Sequence, residues 1–201
     1  GELKRVAGEN VGTYAIEQNT LSADKNYTIS FTGAELTIHA KPITEADVQL
    51  NGSLTYTGSE QTQAVTVADG ITYEVTGNKA TAAGSYELTV TGTGNFSGTV
   101  TKTFTIGKAA AAAVAPTAKE LTYTGLAQNL VTAGTTNDGT MVYSLTENGQ
   151  YTAEIPTGTN AGKYTVYYKV VGDANHSDTA VASVEVTIAK AVPAIGTVSA
   201  N

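Results

Sequence analysis

The pentapeptide Leu-Thr-Tyr-Thr-Gly occurs twice, at Leu54–Gly58 and again at Leu121–Gly125. The text that follows each copy also runs in parallel: a Gln, a Val-containing strand, a Gly turn and a second strand. Ala-Gly-x-Tyr then opens a third strand, at Gly84-x-Tyr86 and Gly162-x-Tyr164, an Asn turn follows, and the last strand ends in Thr-Ile-x-Lys-Ala. The N-terminal residues carry only the second half of this pattern, with Gly12-x-Tyr14 and Thr37-Ile38. The stretch from that Tyr to the final Ile has a similar length in all three copies. Fixed-order repetition of this kind marks a tandem array of one small unit. It places the C-terminal half of a first module at 1–40, a second module at 41–107 and a third at 108–190, with 191–201 leading towards a further module.

The local pattern sets the class. In Tyr86–Gly92, Tyr86, Leu88 and Val90 share one face and Glu87, Thr89 and Thr91 the other; Val184, Val186 and Ile188 alternate in the same way with Glu185, Thr187 and Ala189. Period two with Thr outward describes a half-buried antiparallel strand. Val, Thr and Tyr suit such strands and 21 Gly supply turns between them. The expectation is an all-β, elongated array of small antiparallel modules. An Ig-like sandwich is favoured over a β-grasp-like sheet, because no segment has the length and periodicity of the helix a β-grasp needs. The Ala-rich run from Lys108 to Pro116 reads as linker or strand edge, and Thr44 is placed to cap one helical turn within 43–50. Tyr56 and Tyr123 are expected to point inward from the first strand of each module, with Gly58 and Gly125 ending it.

Several functions are argued against by composition. A net charge of −7 with 11 scattered basic residues does not fit nucleic acid, which needs clustered Lys and Arg. No apolar run approaches the ~20 residues of a membrane-spanning helix. With no Cys there are neither disulfides nor thiolate metal sites. The leading Gly without Met and the lack of an apolar leader suggest a piece of a longer chain.

Candidate chemistry is weighed against packing at each point. His39 and His176 are the only histidines, and the position of His176 is Tyr27 in the first copy and Phe96 in the second, so it reads as a recurring aromatic slot rather than a base. Glu45 and Asp47 share a face if their segment is extended, and read as a solvated acidic edge. The loop Asp173–Asp178 offers oxygens for calcium, yet lacks the Gly and distant Glu of an EF-type loop, and its counterparts lack the acidic set. Asn26-Tyr-Thr, Asn95-Phe-Ser and Asn175-His-Ser fit a glycosylation pattern, but sit at one equivalent point of the repeat, where Asn suits a turn and the aromatic a core position. Lys163 and Lys169 correspond to Ser85 and Thr91 in the second module, so an isopeptide-forming Lys does not recur. Tyr167 and Tyr168 put one ring on each face of a strand, which leaves one of them to stack on a sugar or a partner. They are the candidate ligand-binding residues; no catalytic residue, metal ligand or cofactor is expected.

The stretches "VGTYAI…NYTISFTGAELTI", "LTYTG…AAGSYELTVTGTGNFSGTVTKTFTI" and "LTYTGLAQNLVTAG…NAGKYTVYYKVVGDANHSD…VTIAK" resemble the MBG-type repeats of large bacterial surface proteins and adhesins, common in gut Firmicutes. The resemblance covers residues 1–190 and rests on turns and strand ends, with no catalytic signature. It implies all-β modules in tandem outside the cell, in the stalk of a wall-anchored protein. The expected role is a non-catalytic structural or adhesive segment; the alternatives are a module recognising a glycan or host protein, and accessory domains of a secreted hydrolase. A monomer is expected, with pairing through an exposed edge strand as the alternative. The truncated first module should pack against the second or leave strand edges open to other chains.

Overall fold

The computed structural model describes residues 1–193, so most of the expected linker at 191–201 lies outside the described residues. Strands and turns make up the described chain, joined by one 3-10 turn, Glu45–Asp47. The chain is all-β. Thr44 caps that turn: its N–H and hydroxyl both donate to the Asp47 carboxylate at 2.7 Å. Glu45 and Asp47 therefore do not share a strand face, and Glu45 pairs with Lys102 at 2.6 Å. Two compact units form. One holds Gly1–Leu54, Glu60–Ala80 and Ser85–Thr105; the other holds Thr55–Ser59, Thr81–Gly84 and the chain from Ile106 onward.

In the second unit a four-stranded sheet runs in the order Leu121–Thr122, Ala182–Ala189, Gly162–Gly172, Gly139–Ser144. Two short pairs accompany it, Thr117–Ala118 with Val131–Thr132 and Gln128–Asn129 with Thr157–Gly158. Leu130, between the short strands, and Val131 on one of them meet Met141, Tyr143, Val166, Val170, Val186 and Ile188 of the large sheet in one core. Alternation makes this possible: along Ala182–Ala189, Val186 and Ile188 are buried while Glu185, Thr187 and Ala189 are exposed. Residues of the short pairs and of the large sheet thus share one core, with no α-helix among the described residues.

The second repeat follows the same plan. Its large sheet runs Leu54–Thr55, Thr99–Gly107, Gly84–Gly92, Tyr73–Thr76, and its short pairs are Val48–Asn51 with Ala64–Val67 and Gln61–Thr62 with Lys79–Ala80. Val48, Leu88, Val90, Val100 and Phe104 are buried in it. Residues 1–40 add a three-stranded sheet, Lys4–Arg5, Gly12–Glu17 and Ala34–Ile38. The Tyr after the recurring Gly closes a corner in the first and third repeats. Tyr14 and Tyr164 donate their hydroxyls to the carbonyls of Asn10 and Asn160, four residues upstream, at 2.8 and 2.9 Å. Such a bond across the entry to a strand is the tyrosine corner of immunoglobulin-type sandwiches.

Two expectations need correction. The strands are not all antiparallel: Leu121–Thr122 lies parallel to the terminal strand, with Leu121 opposite Ile188. Tyr123 does not point into the core; it is 43% exposed, and Tyr56 is half-buried. The ladder explains this. It ends where the Tyr123 N–H donates to Ala189 O at 2.8 Å, and Gly125, at φ 79°, then turns the chain away. The ring hangs past the last strand pair instead of between the sheets.

Candidate interaction site at the repeat boundaries

The Asn turns are where the repeats meet. In the first unit Asn95 Oδ1 accepts the Val11 N–H at 2.7 Å, and Asn95 Nδ2 donates to Asn10 Oδ1 at 2.8 Å. The Asn95 carbonyl accepts the Lys41 N–H, and Ser97 O accepts that of Ile43, both at 2.9 Å. Phe96–Ser97 thereby lies as a parallel strand against Lys41–Pro42. Of residues 1–40, Asn10 and Val11 are thus bonded to the Asn95 side chain.

In the second unit the same geometry recurs at the next Asn turn. Asn175 Oδ1 accepts the Ala83 N–H at 2.9 Å, and the Asn175 carbonyl accepts that of Ala109 at 2.9 Å. His176–Ser177 pairs in parallel with Ala109–Ala110, which makes the Ala-rich run a strand edge where it leaves Lys108. The Tyr56 ring meets the His176 ring edge-on, centroids 5.3 Å apart, and Lys108 Nζ donates to Asp173 O at 2.8 Å. His176 thus fills an aromatic slot, and Tyr56 is one wall of it. An amide side chain suits the job because it offers an acceptor and donors at the tip of a tight turn. Backbone N–H groups that would otherwise go unpaired at a boundary find their acceptor there.

The loop oxygens proposed for calcium are already engaged. Asp173 Oδ1 accepts the N–H groups of Asn175 and His176 at 2.7 and 2.9 Å, and His176 Nδ1 lies 2.8 Å away. Asp178 Oδ1 accepts the Gly172 N–H, and the Ser177 hydroxyl donates to Ala109 O. This is a turn tied by its own side chains. The backbone bond from Asn175, and after it the bond from His176, holds the Asp173 carboxyl below the ordinary carboxylate range. A carboxyl with a depressed folded pKa contributes stability above its unfolded value of ~3.9, and that contribution is lost as pH falls through the folded value. Thermal melts between neutral pH and strong acid should therefore show a fall starting near pH 4 that is shallower in Asp173→Asn. An equal acid limb in the two proteins would contradict the turn as described. Asp47, lowered by its Thr44 hydrogen bonds, leaves part of the slope in both.

Tyr167 and Tyr168 are both half-buried. Tyr168 packs against the core cluster of the third repeat, and Tyr167 lies between Ser144 and Ser183 in the sheet register. Neither belongs to the exposed large apolar residues, which in this repeat include Tyr123 and Leu126. Lys169 sits over the Tyr151 ring at 5.3 Å. Sequence reasoning missed the boundary role of Asn95 and Asn175; their recurrence was visible, but the turn explained it without a partner. It also missed Gln63, 2% exposed, whose Nε2 donates to Asn51 O at 2.8 Å and ties the two strands of a short pair.

Residues 1–37 match the family model of the MBG domain (YGX type), and residues 46–110 match a second MBG domain model. No curated protein matches the chain. The chain is therefore built of MBG-type domains in tandem over these residues.

Proposed function

We propose that this chain is a non-catalytic structural or adhesive segment, a stalk or spacer, of a large bacterial surface protein, acting outside the cell, and that residues 108–190 form a further module of the same type. The observation that carries it is the repeated boundary contact. At two successive points the Asn-aromatic-Ser turn of one repeat takes up backbone N–H groups of the repeat before it, at Asn95 and at Asn175. A chain that presents modules in series needs such a joint. MBG-type domains are typical of surface and adhesin-like proteins and are not an enzyme family. Among the described residues no three His, Cys, Asp or Glu gather to hold a metal, and no helix is long and apolar enough to cross a membrane.

The test is a screen of the purified chain against glycans and mucins up to high micromolar concentration. A spacer gives no saturable binding. Saturable binding that is lost in Tyr167→Ala, while Tyr168→Phe keeps the core filled, replaces the spacer reading with a glycan- or host-protein-binding module working through Tyr167 and Tyr168.

A further inference from the structure

Three repeats offer three versions of the receiving face, and the structure seats a turn on two. In the second unit the occupied face consists of Tyr56, Ala83, Lys108 and Ala109, all of which contact the Asp173–His176 turn. The third repeat places the same residue types at the same points of its sequence: Tyr123, Ala161, Lys190 and Ala191. With Asn160, these residues line a single surface depression of about 370 Å³. Tyr123, the counterpart of the ring that packs on His176, is 43% exposed. The face is a copy of an occupied one. One bond of the set is missing: Pro193 stands where Ile43 and Ala111 donate an N–H to Ser97 and Ser177.

The matching turn is also present without a seat. Asn26-Tyr27-Thr28 is the first repeat's version of Asn95-Phe96-Ser97 and Asn175-His176-Ser177. Asp24 Oδ1 accepts the Asn26 N–H at 2.8 Å, as Asp173 Oδ1 accepts that of Asn175 at 2.7 Å, so the two turns share this bond. Tyr27 is 75% exposed.

We infer that Tyr123, Asn160, Ala161, Lys190 and Ala191 form a docking site for the Asn-aromatic-Ser/Thr turn of another module of this type, and that Asn26-Tyr27-Thr28 is such a turn. The Asn side chain accepts the Ala161 N–H, its carbonyl accepts the Ala191 N–H, the aromatic ring packs against Tyr123, and Lys190 reaches a carbonyl of the turn. Donor turn and receiving face differ, so the contact is head-to-tail and propagates along a series instead of closing a symmetric pair. Each contact leaves one turn and one face for the next.

The chain supplies both partners for the test. A dilute ¹⁵N-labelled sample is titrated with unlabelled chain to millimolar concentration, and amide shifts are followed. Saturable shifts should cluster at Tyr123, Ala161 and Ala191 of the labelled molecule. With unlabelled Asn26→Ala the apparent affinity should fall about tenfold, the loss of roughly one hydrogen bond, and Tyr27→Ala should weaken it similarly. Both substitutions lie in an exposed turn, and each variant's own spectrum checks that it is folded. The inference is overturned if those three amides do not shift, or if they shift equally with the variant partners. Either result leaves the glycan screen, and the spacer reading it tests, unaffected.

Discussion

Leu130→Ala should lower the unfolding free energy of the second unit by about 2–5 kcal/mol, the range for removing a large buried aliphatic side chain. Leu130 is fully buried and stands between the two short strand pairs, where its N–H donates to Pro156 O at 3.0 Å and its carbonyl accepts the Lys119 N–H at 3.1 Å. Those bonds fix the backbone, so the pocket left by the side chain cannot close by moving the strand. The opposite wall resists as well, since even a methyl group added at Gly158 would lie 2.9 Å from the Leu130 side chain. The core it helps to fill has eight buried residues, and the chain has no Cys to add a disulfide. Domains of this size have a stability of order 5–15 kcal/mol, so the loss is a large share of the total. At about 4–8 °C per kcal/mol for 60–100 residues, the midpoint should fall by roughly 8 °C or more. Leu126, 73% exposed, is the control, and its replacement by Ala should stay within about 0.5 kcal/mol. Calorimetry giving the same midpoint for both variants would remove Leu130 from the core.

How much of this was legible beforehand differs from residue to residue, and the differences have physical causes. Strand interiors were legible because burial on one face imposes period two locally; Val184, Val186 and Ile188 announced themselves without any knowledge of their partners. The cap at Thr44 was legible for the same reason, as donor and acceptor lie three residues apart. Tyr123 was misread because its environment depends on where a ladder ends, which is set by Ala189 at the far end of the module. The Asn turns were half legible. Their recurrence and their fit to a turn could be read, but Val11 and Ala83, which supply the N–H groups, lie 84 and 92 residues away. A single copy of the repeat contains no trace of that pairing. Gln63 was not singled out in the sequence at all: it is buried, and its side-chain N–H groups donate to the Asn51 and Ala64 carbonyls.

Gly172→Ala should cost about 2–4 kcal/mol through a steric clash with the backbone of the facing turn. Gly172 ends the strand Gly162–Gly172 and its φ is not positive, so a side chain there is not opposed by left-handed backbone. Space is the obstacle. A Cβ would lie 2.2 Å from His176 O, 2.7 Å from His176 C and 2.8 Å from Ser177 C, all of them backbone atoms that cannot swing aside. Gly92 is crowded by Ser97 in the same way in the second repeat, at 2.9 Å, so the close approach belongs to the turn and not to one accident of sequence. The turn must move outward to admit the methyl group. That motion pulls Asn175 from Ala83 and His176 from Tyr56, and it breaks the 3.0 Å bond from the Gly172 N–H to Asp178. Hydrogen exchange at Ala83 and Ala109, whose N–H groups point at the Asn175 turn, should accelerate together with the drop in midpoint. Gly52→Ala separates sterics from backbone strain: at φ 75° with nothing within 4 Å of its Cβ, it should cost only the ~1–2 kcal/mol of the left-handed region and leave those two amides protected. If Gly172→Ala proved no worse than Gly52→Ala, with Ala83 and Ala109 still protected, the turn would not be seated against its neighbour, and the boundary contact would lose its standing as the joint of the array.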